Sequence, residues 1–288
     1  MQFTTFLQAG QPRLGLVDGD QVIDLNAAQP QVPASLRAAL EAGIDLAAAA
    51  QAARASDAAR LPLASLTLAP LVPEPGKIIC LGLNYVDHAK EGNREKPDYP
   101  WFFYRGKSSL LGQGAAGVVP KVSSKFDYEA ELAVVIGRTV PRHVGQANAL
   151  QYVFGYSCFN DMSVRDYQKK TPQWTIGKNF DATGGLGPVL VTADEVPAGA
   201  TGLRIQCRLN GAVMQDANTS DMIFSVAETI DLLSQCMTLE PGDVIAMGTP
   251  AGVGQARTPP VWMKAGDTVE IDIERIGVLT NPIVNEAA

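Results

Sequence analysis

"FDYEAELAVVIG", residues 126–137, decides how the rest of the chain is read. "LAVVIG" is apolar at successive positions, the pattern of a strand covered on both faces. Ahead of it Asp127, Glu129 and Glu131 recur at every second residue. On a strand they share one side, while Tyr128, Ala130 and Leu132 take the other. Neighbouring acids on that side stand roughly 6.8 Å apart and repel by about 2.4 kcal/mol at an effective dielectric of 20. A solvated edge would reduce this to well under ~1 kcal/mol, but the apolar continuation carries Glu131 at least into the interior, with Asp127 at the wetter end. Buried carboxylates require a proton, a basic partner or a metal. Both a metal site and ion-paired structural acids satisfy that requirement.

Working outward, "GYSCFNDMSVRDYQKK" (155–170) reads as a strand running into Asn160 and Asp161, with a helix starting there. Asp161 is then either a helix N-cap or a further carboxylate beside the first group. Glu129, Glu131 and Asp161 would offer oxygen ligands only, which suits a hard cation such as Mg²⁺ or Mn²⁺ and argues against zinc or copper. Three carboxylates against one dication leave one negative charge, and Lys178 in "WTIGKNFD" can balance it.

Residues 3–25 alternate apolar and polar around "AGQP" and "DGD" and predict a small antiparallel meander. The alanine- and leucine-rich 33–56 predict one or two helices packed on it. "LPLASLTLAPLVPEPGK" reads as a linker, with a domain boundary near residue 72. The chain thus divides into a small N-terminal domain, 1–72, and a larger domain, 73–288. "KIICLGLNY" predicts a buried strand, and residues 90–120, with the aromatic cluster "WFFY", a long irregular binding loop or packed excursion. Further strands and one amphipathic helix, in "DMIFSVAETIDLLSQCM", follow in an order that does not alternate as βαβ. The expected class is α+β, a β-rich roll of mixed and antiparallel sheets. No GxGxxG opens a helix after a strand, so a dinucleotide fold finds no support.

A net charge of −7 in 288 residues lacks the positive field that nucleic acids or anionic lipids attract. No stretch reaches the length of a membrane span and the N-terminus lacks a leader pattern, so the expected place is the cytoplasm. The four cysteines form no C-x-x-C pair and read as buried thiols. Two histidines exclude a three-histidine metal site.

"NYVDHAKE", "DYEAELAVVIG", "NDMSVRDYQ", "GKNFD" and "GTPAGVG" occur in the order and approximate spacing of the fumarylacetoacetate hydrolase family, which the chain resembles over roughly residues 70–285. The resemblance implies that Glu129, Glu131 and Asp161 bind Mg²⁺ or Mn²⁺, with Asp127 adjacent but not a ligand. It matches Lys178 to an active-site lysine and His88 with Glu91 to a catalytic dyad. Arg165, Gln168 and Thr249 match positions that hold the substrate. It also implies a β-rich α+β roll, a homodimer and a small-molecule 2-keto acid substrate with a second carbonyl or enol. The residues support part of this independently. His88 and Glu91, at i and i+3 on a helical turn, can pair so that the carboxylate fixes the imidazole tautomer. Arg165 and Gln168 share that spacing one turn after Asp161. Two segments depart from the family pattern and are expected to border the distal end of the substrate: "FYRGKSS", with Arg105 and Lys107 in place of lysine and proline, and "ATGGLGP" after "GKNFD".

The expected activity is metal-dependent hydrolysis of a carbon–carbon bond in a 2,4-diketo acid, releasing pyruvate and a carboxylic acid. Decarboxylation of oxaloacetate or keto–enol isomerisation on the same site is the alternative. A non-catalytic metal- or ligand-binding protein is the reading from another class.

Overall fold

A computed structural model describes residues 1–287. The meander forms as expected, with β1 (Gln2–Gln8), β2 (Gln11–Asp18) and β3 (Gln21–Asp24) joined by tight turns. After it come α1 (Leu25–Ala28), α2 (Leu36–Glu41) and α3 (Leu46–Arg54). Asp24, Ser35 and Asp45 each cap a helix by accepting backbone N–H groups. The proline-rich stretch is not a free linker: β4 (Arg60–Pro62) pairs with β3, and Leu68, Leu71 and Val72 are buried.

The larger part contains β5 (Ile78–Gly82), α4 (Val86–Glu91), β6 (Trp101–Tyr104), β7 (Leu110–Leu111), β8 (Gly117–Val119), β9 (Phe126–Asp127) and β10 (Ala130–Ile136). Next come α5 (Gln146–Ala149), β11 (Val153–Asp161), β12 (Ser163–Val164), α6 (Arg165–Gln168), α7 (Thr175–Lys178) and β13 (Gly184–Thr192). The chain closes with β14 (Arg204–Leu209), β15 (Ala212–Asn218), α8 (Val226–Ser234), β16 (Val244–Ala246), β17 (Thr268–Ile273) and β18 (Gly277–Asn285). "WFFY", expected in an irregular segment, is the edge strand β6, paired antiparallel to β5. Its β-branched-free but aromatic composition suits a half-exposed strand.

One sheet runs in the order β4-β3-β2-β1-β13-β11-β10-β16-β5-β6, with β7 beside β13; a second runs β15-β14-β17-β18-β8. Most pairs are antiparallel, while β16 with β5, β18 with β8 and β13 with β7 are parallel. The class is α+β with mixed sheets. β10 lies between β11 and β16 and is buried at every residue, as its unbroken apolar run requires. Leu132, Val134 and Ile136 pack toward the second sheet with Ile205, Ile271 and Leu279. Ala133 and Val135 pack the opposite way, with Leu16, Leu36 and Leu190. The N-terminal helices therefore cover the face of the large sheet that the second sheet leaves open. Hydrogen bonds cross the boundary drawn at residue 72: β1 pairs with β13 through Gln2–Val191 and Phe3–Leu190. Thr4 Oγ1 also donates to the Pro188 carbonyl at 3.0 Å.

Within β11, a Cβ on Gly155 would stand 2.4 Å from the Val191 carbonyl oxygen and 2.7 Å from Leu190. Gly155→Ala is expected to lower stability by about 1–3 kcal/mol through overpacking, read as a lower urea midpoint. An unchanged midpoint would show that β11 and β13 are not packed this closely. No helix among the described residues is long and apolar enough to cross a membrane.

Candidate active site

Strand pairing builds the site. Glu131 lies opposite Phe159 on β11, and the Asp161 N–H donates to the Glu129 carbonyl at 3.0 Å. The two strands thus bring together acids that are thirty residues apart in sequence. One carboxylate oxygen from each of Glu129, Glu131 and Asp161 lies within 4.8 Å of the others, and all three residues are buried. Asp161 ends a strand and does not cap a helix. The following helix, α6, begins only at Arg165, after Val164, and has no side-chain cap. The expectation of a helix starting at Asp161 is corrected accordingly: β12 intervenes because Ser163 and Val164 pair with Asp127 and Phe126.

Asp127 is also buried, which corrects its placement at a wetter end. The chain folds back there, and Asp127 accepts the N–H groups of Gly254 at 2.7 Å and Gln255 at 3.0 Å, together with Arg165 Nε at 2.8 Å. It anchors the loop after "GTPAGVG" and orients Arg165 without joining the acid triad.

Three cations enter from outside the strands. Lys178 Nζ donates to Glu129 Oε2 and, at 2.6 Å, to Asp161 Oδ2. Arg165 Nη1 donates to Gln168 Oε1 at 3.0 Å, and Nη2 lies 2.7 Å from Glu129 Oε1 in a contact where the N–H is not aimed at the oxygen. Arg105 Nη1 donates to Asp161 Oδ1 at 2.5 Å. Four carboxylates therefore meet three cations, and the unmatched acid is Glu131. Its oxygen accepts only the Gly248 N–H, at 3.0 Å, and no cationic side chain among the described residues pairs with it. Gly248 sits at φ 87°, and a Cβ there would lie 2.7 Å from Asn84 Cβ, so glycine is what lets this N–H approach.

Charge states follow from these contacts. Burial alone would raise Glu129, but Arg165 and Lys178 outweigh it and hold the carboxyl well below the usual range. Burial, reinforced by Asp161 and Glu129, pushes Glu131 well above it. Burial acts to lower Lys178, yet Asp161 and Glu129 leave it raised and cationic. An oxygen-only triad with one uncompensated acid fits a hard divalent cation and gives no donor that favours zinc or copper.

Glu129 and Glu131 line a cavity of about 540 Å³ together with His88, Glu91, Gln168 and Thr249. Of the expected catalytic, substrate-binding and metal-ligand residues all but Asp161 line this cavity, on elements spread from α4 to the loop after β16. Asp161, fully buried, joins them through its contact with Glu129 and Glu131. His88 Nδ1 and Glu91 Oε1 are 2.7 Å apart, and Glu91 Oε2 accepts the Gly252 N–H at 2.9 Å. An ionised carboxylate can only accept, so Nδ1 carries the proton and Nε2 is left basic. Thr249 Oγ1 accepts from Gln215 Nε2 at 2.8 Å, which also holds the Pro250 carbonyl at 2.8 Å. Sequence reasoning missed Gln215 and Asn84, whose buried amide bonds Phe224 and Met247 beneath the site; isolated amides in strands and loops carry no local signal. The aromatic mouth was also unassigned. Trp101 stacks on Trp174 at 5.2 Å, Arg94 lies over Trp101, and Lys169 stands nearby on the cavity wall.

Neither Arg105 nor "ATGGLGP", both expected to border the substrate, lines the cavity. Arg105 is buried behind Asp161, and its Nη2 donates to Thr183 Oγ1 at 2.8 Å, so the two divergent segments meet each other.

The family model for the fumarylacetoacetate hydrolase C-terminal region matches residues 77–284. The chain belongs to the fumarylacetoacetate hydrolase family. It is 42% identical to human oxaloacetate tautomerase FAHD2A, mitochondrial, over 277 residues, 95% of this chain and 88% of that protein. The Xenopus laevis oxaloacetate tautomerase fahd2, mitochondrial, is 41% identical over 277 residues, again 95% of this chain and 86% of that protein. Among solved family structures, fumarylacetoacetate hydrolase from Exiguobacterium antarcticum superposes with a TM-score of 0.85 at 35% identity, covering 99% of this chain and 100% of that one. Maleylpyruvate hydrolase from Sphingobium sp. SYK-6, in complex with manganese(II) and pyruvate, gives 0.83 at 33% identity with both chains fully covered.

Proposed function

We propose that this family member is a divalent-metal-dependent enzyme acting on a 2-keto acid with a second carbonyl or carboxylate, and that its first reaction is keto–enol tautomerisation of an oxaloacetate-type dicarboxylate. The observation that carries the reading is a basic imidazole, His88, facing the same cavity as the buried oxygen triad. Similarity to two oxaloacetate tautomerases over 95% of the chain moves this reaction ahead of the hydrolysis expected from the motifs.

Glu129, Glu131 and Asp161 would hold Mg²⁺ or Mn²⁺. When bound, the cation supplies Lewis-acid polarisation of the 2-keto oxygen. The chain's own groups do the rest. The Arg165 Nη2 N–H, buried and without a directed acceptor, is the donor that a substrate carboxylate would satisfy, beside Gln168 and Thr249. His88 Nε2 takes the proton from the carbon between the two carbonyl groups and returns it to the 2-oxygen, with Glu91 stabilising the imidazolium in between, and ketonisation of the enol runs the same transfer in reverse. The Lys178 ammonium, kept cationic by its acidic neighbours, offsets charge developing on the 2-oxygen.

Hydrolysis of an acylpyruvate is the second reading, favoured by room. A cavity of about 540 Å³ with a Trp101–Trp174 mouth holds far more than a four-carbon acid. In that reaction His88 would deprotonate water. The proposal also places the enzyme in a reducing compartment such as the cytoplasm, in keeping with four free cysteine thiols. It includes a homodimer, which light scattering would check.

Purified protein with Mg²⁺ or Mn²⁺ is expected to accelerate the decay of the ultraviolet band of enol-oxaloacetate, and EDTA to abolish that acceleration. A panel of acylpyruvates coupled through lactate dehydrogenase reads hydrolysis as pyruvate formed. Pyruvate without band decay would favour the second reading, and silence in both assays would reject the proposal.

A further inference from the structure

We infer that Arg105 and Gly184 form a matched pair that sets the direction of the Asp161 carboxylate, making Arg105 a positioning residue for the metal site. The inference rests on the reading of Glu129, Glu131 and Asp161 as metal ligands. Arg105 does not line the cavity. Its side chain is fully buried behind Asp161, reached from the turn between β6 and β7, and packs over the Phe159 ring. The guanidinium holds four acceptors at once. Nη1 donates to Asp161 Oδ1 at 2.5 Å and reaches the Met162 carbonyl at 3.4 Å, Nη2 donates to Thr183 Oγ1 at 2.8 Å, and Nε to Ser109 Oγ at 3.3 Å.

These partners are themselves fixed. Thr183 Oγ1 donates to the Phe180 carbonyl at 2.6 Å, and Ser109 Oγ to the Gly106 carbonyl at 2.7 Å. The planar fork is thus locked on two sides and presents Nη1 to one oxygen of Asp161, while the other oxygen faces Lys178. A carboxylate held through one oxygen by a rigid donor keeps its torsion, and such outer contacts typically change metal affinity about 10–100-fold when lost. A lysine at 105 keeps the charge, but its single nitrogen cannot span from Asp161 to Thr183 and Ser109.

The room for the fork comes from Gly184. A Cβ there would stand 3.0 Å from both Nε and Nη2 of Arg105, tighter than ordinary contact. Gly184 starts β13 opposite Asp161 on β11, so the same pairing that places the ligand places the space behind it. Arginine at 105 and glycine at 184 are therefore sterically coupled: the wide head needs the missing methyl, and a slim lysine head leaves a gap that a methyl fills.

Titration of metal-free protein with Mn²⁺, followed by the free-ion electron paramagnetic resonance signal, tests the pair at constant charge. Arg105→Lys and Gly184→Ala are each expected to weaken Mn²⁺ binding about tenfold or more, and the double variant to bind no more weakly than Arg105→Lys alone, because the methyl then meets no guanidinium. Thermal melting of the metal-free proteins runs alongside. Single variants that melt lower yet bind Mn²⁺ as the wild type does would reduce Arg105 to a structural role and overturn the inference, as would losses that simply add in the double variant. A wild type that fails to bind Mn²⁺ would instead reject the metal-site reading, and the inference with it.

Discussion

Glu131→Gln is expected to raise the melting temperature of the metal-free protein while abolishing its response to Mg²⁺ or Mn²⁺. Glu131 is buried beside two other acids and has no cation of its own. A folded-state value raised above the ordinary glutamate range means that the unfolded chain ionises where the folded protein resists. The group therefore subtracts from stability increasingly as pH climbs above about 4.3. Glutamine keeps an acceptor for the Gly248 N–H and removes the charge. A gain of about 1–2 kcal/mol follows, or about 2–4 °C per kcal/mol in a chain of this size. The wild type, at a hundred times the metal Kd, gains about 2.7 kcal/mol that the variant lacks. Glu129→Gln should move the other way, by about 3–5 kcal/mol, because it deprives Arg165 and Lys178 of a shared partner. Scanning calorimetry with and without metal reads both variants, and a Glu131→Gln protein that melts below the wild type in EDTA would refute the charge imbalance.

The second large effect is on turnover alone. His88→Ala should lower the rate about 10²–10⁴-fold and leave Mn²⁺ affinity unchanged, because His88 contacts Glu91 and not the triad. Glu91→Gln should fall between the two, since Gln can still accept from Nδ1–H but no longer balances an imidazolium. Stopped-flow turnover with parallel Mn²⁺ titration separates the two quantities. Wild-type turnover in His88→Ala would remove the imidazole from the chemistry and leave tautomerisation to the polarised carbonyl and Lys178.

Much of this was legible because local patterns carried it. The apolar run after Glu131 identified a central strand, and alternation grouped Glu131 with Glu129, which lies just ahead of that strand. The family resemblance picked out His88 and Glu91, and their helical spacing allows the pairing seen at 2.7 Å. What escaped depends on contacts that spacing does not encode. Asp127 follows the same alternation as its neighbours, yet the backbone leaves the sheet between β9 and β10 and turns it to the Gly254 and Gln255 amides. Asp161 was expected among the acids but at the start of a helix, while the two-residue pairing of β12 with β9 postpones that helix to Arg165. Arg105 was noticed as a departure and expected beside the substrate, whereas the fold brings it off the cavity, beside Asp161 and against Gly184.

The hydrogen bonds between β1 and β13 give the N-terminal segment a consequence beyond cover. Ala133 and Val135 continue the side of β10 that bears Glu131, and the residues packed on them, Leu16 and Leu36, come from that segment. It contributes no polar group to the cavity, yet it keeps water from the back of the acids and so sustains the low permittivity in which their charges are felt. Packing thus crosses the boundary drawn near residue 72, and apolar residues far from the cavity share in setting the field at the acid triad.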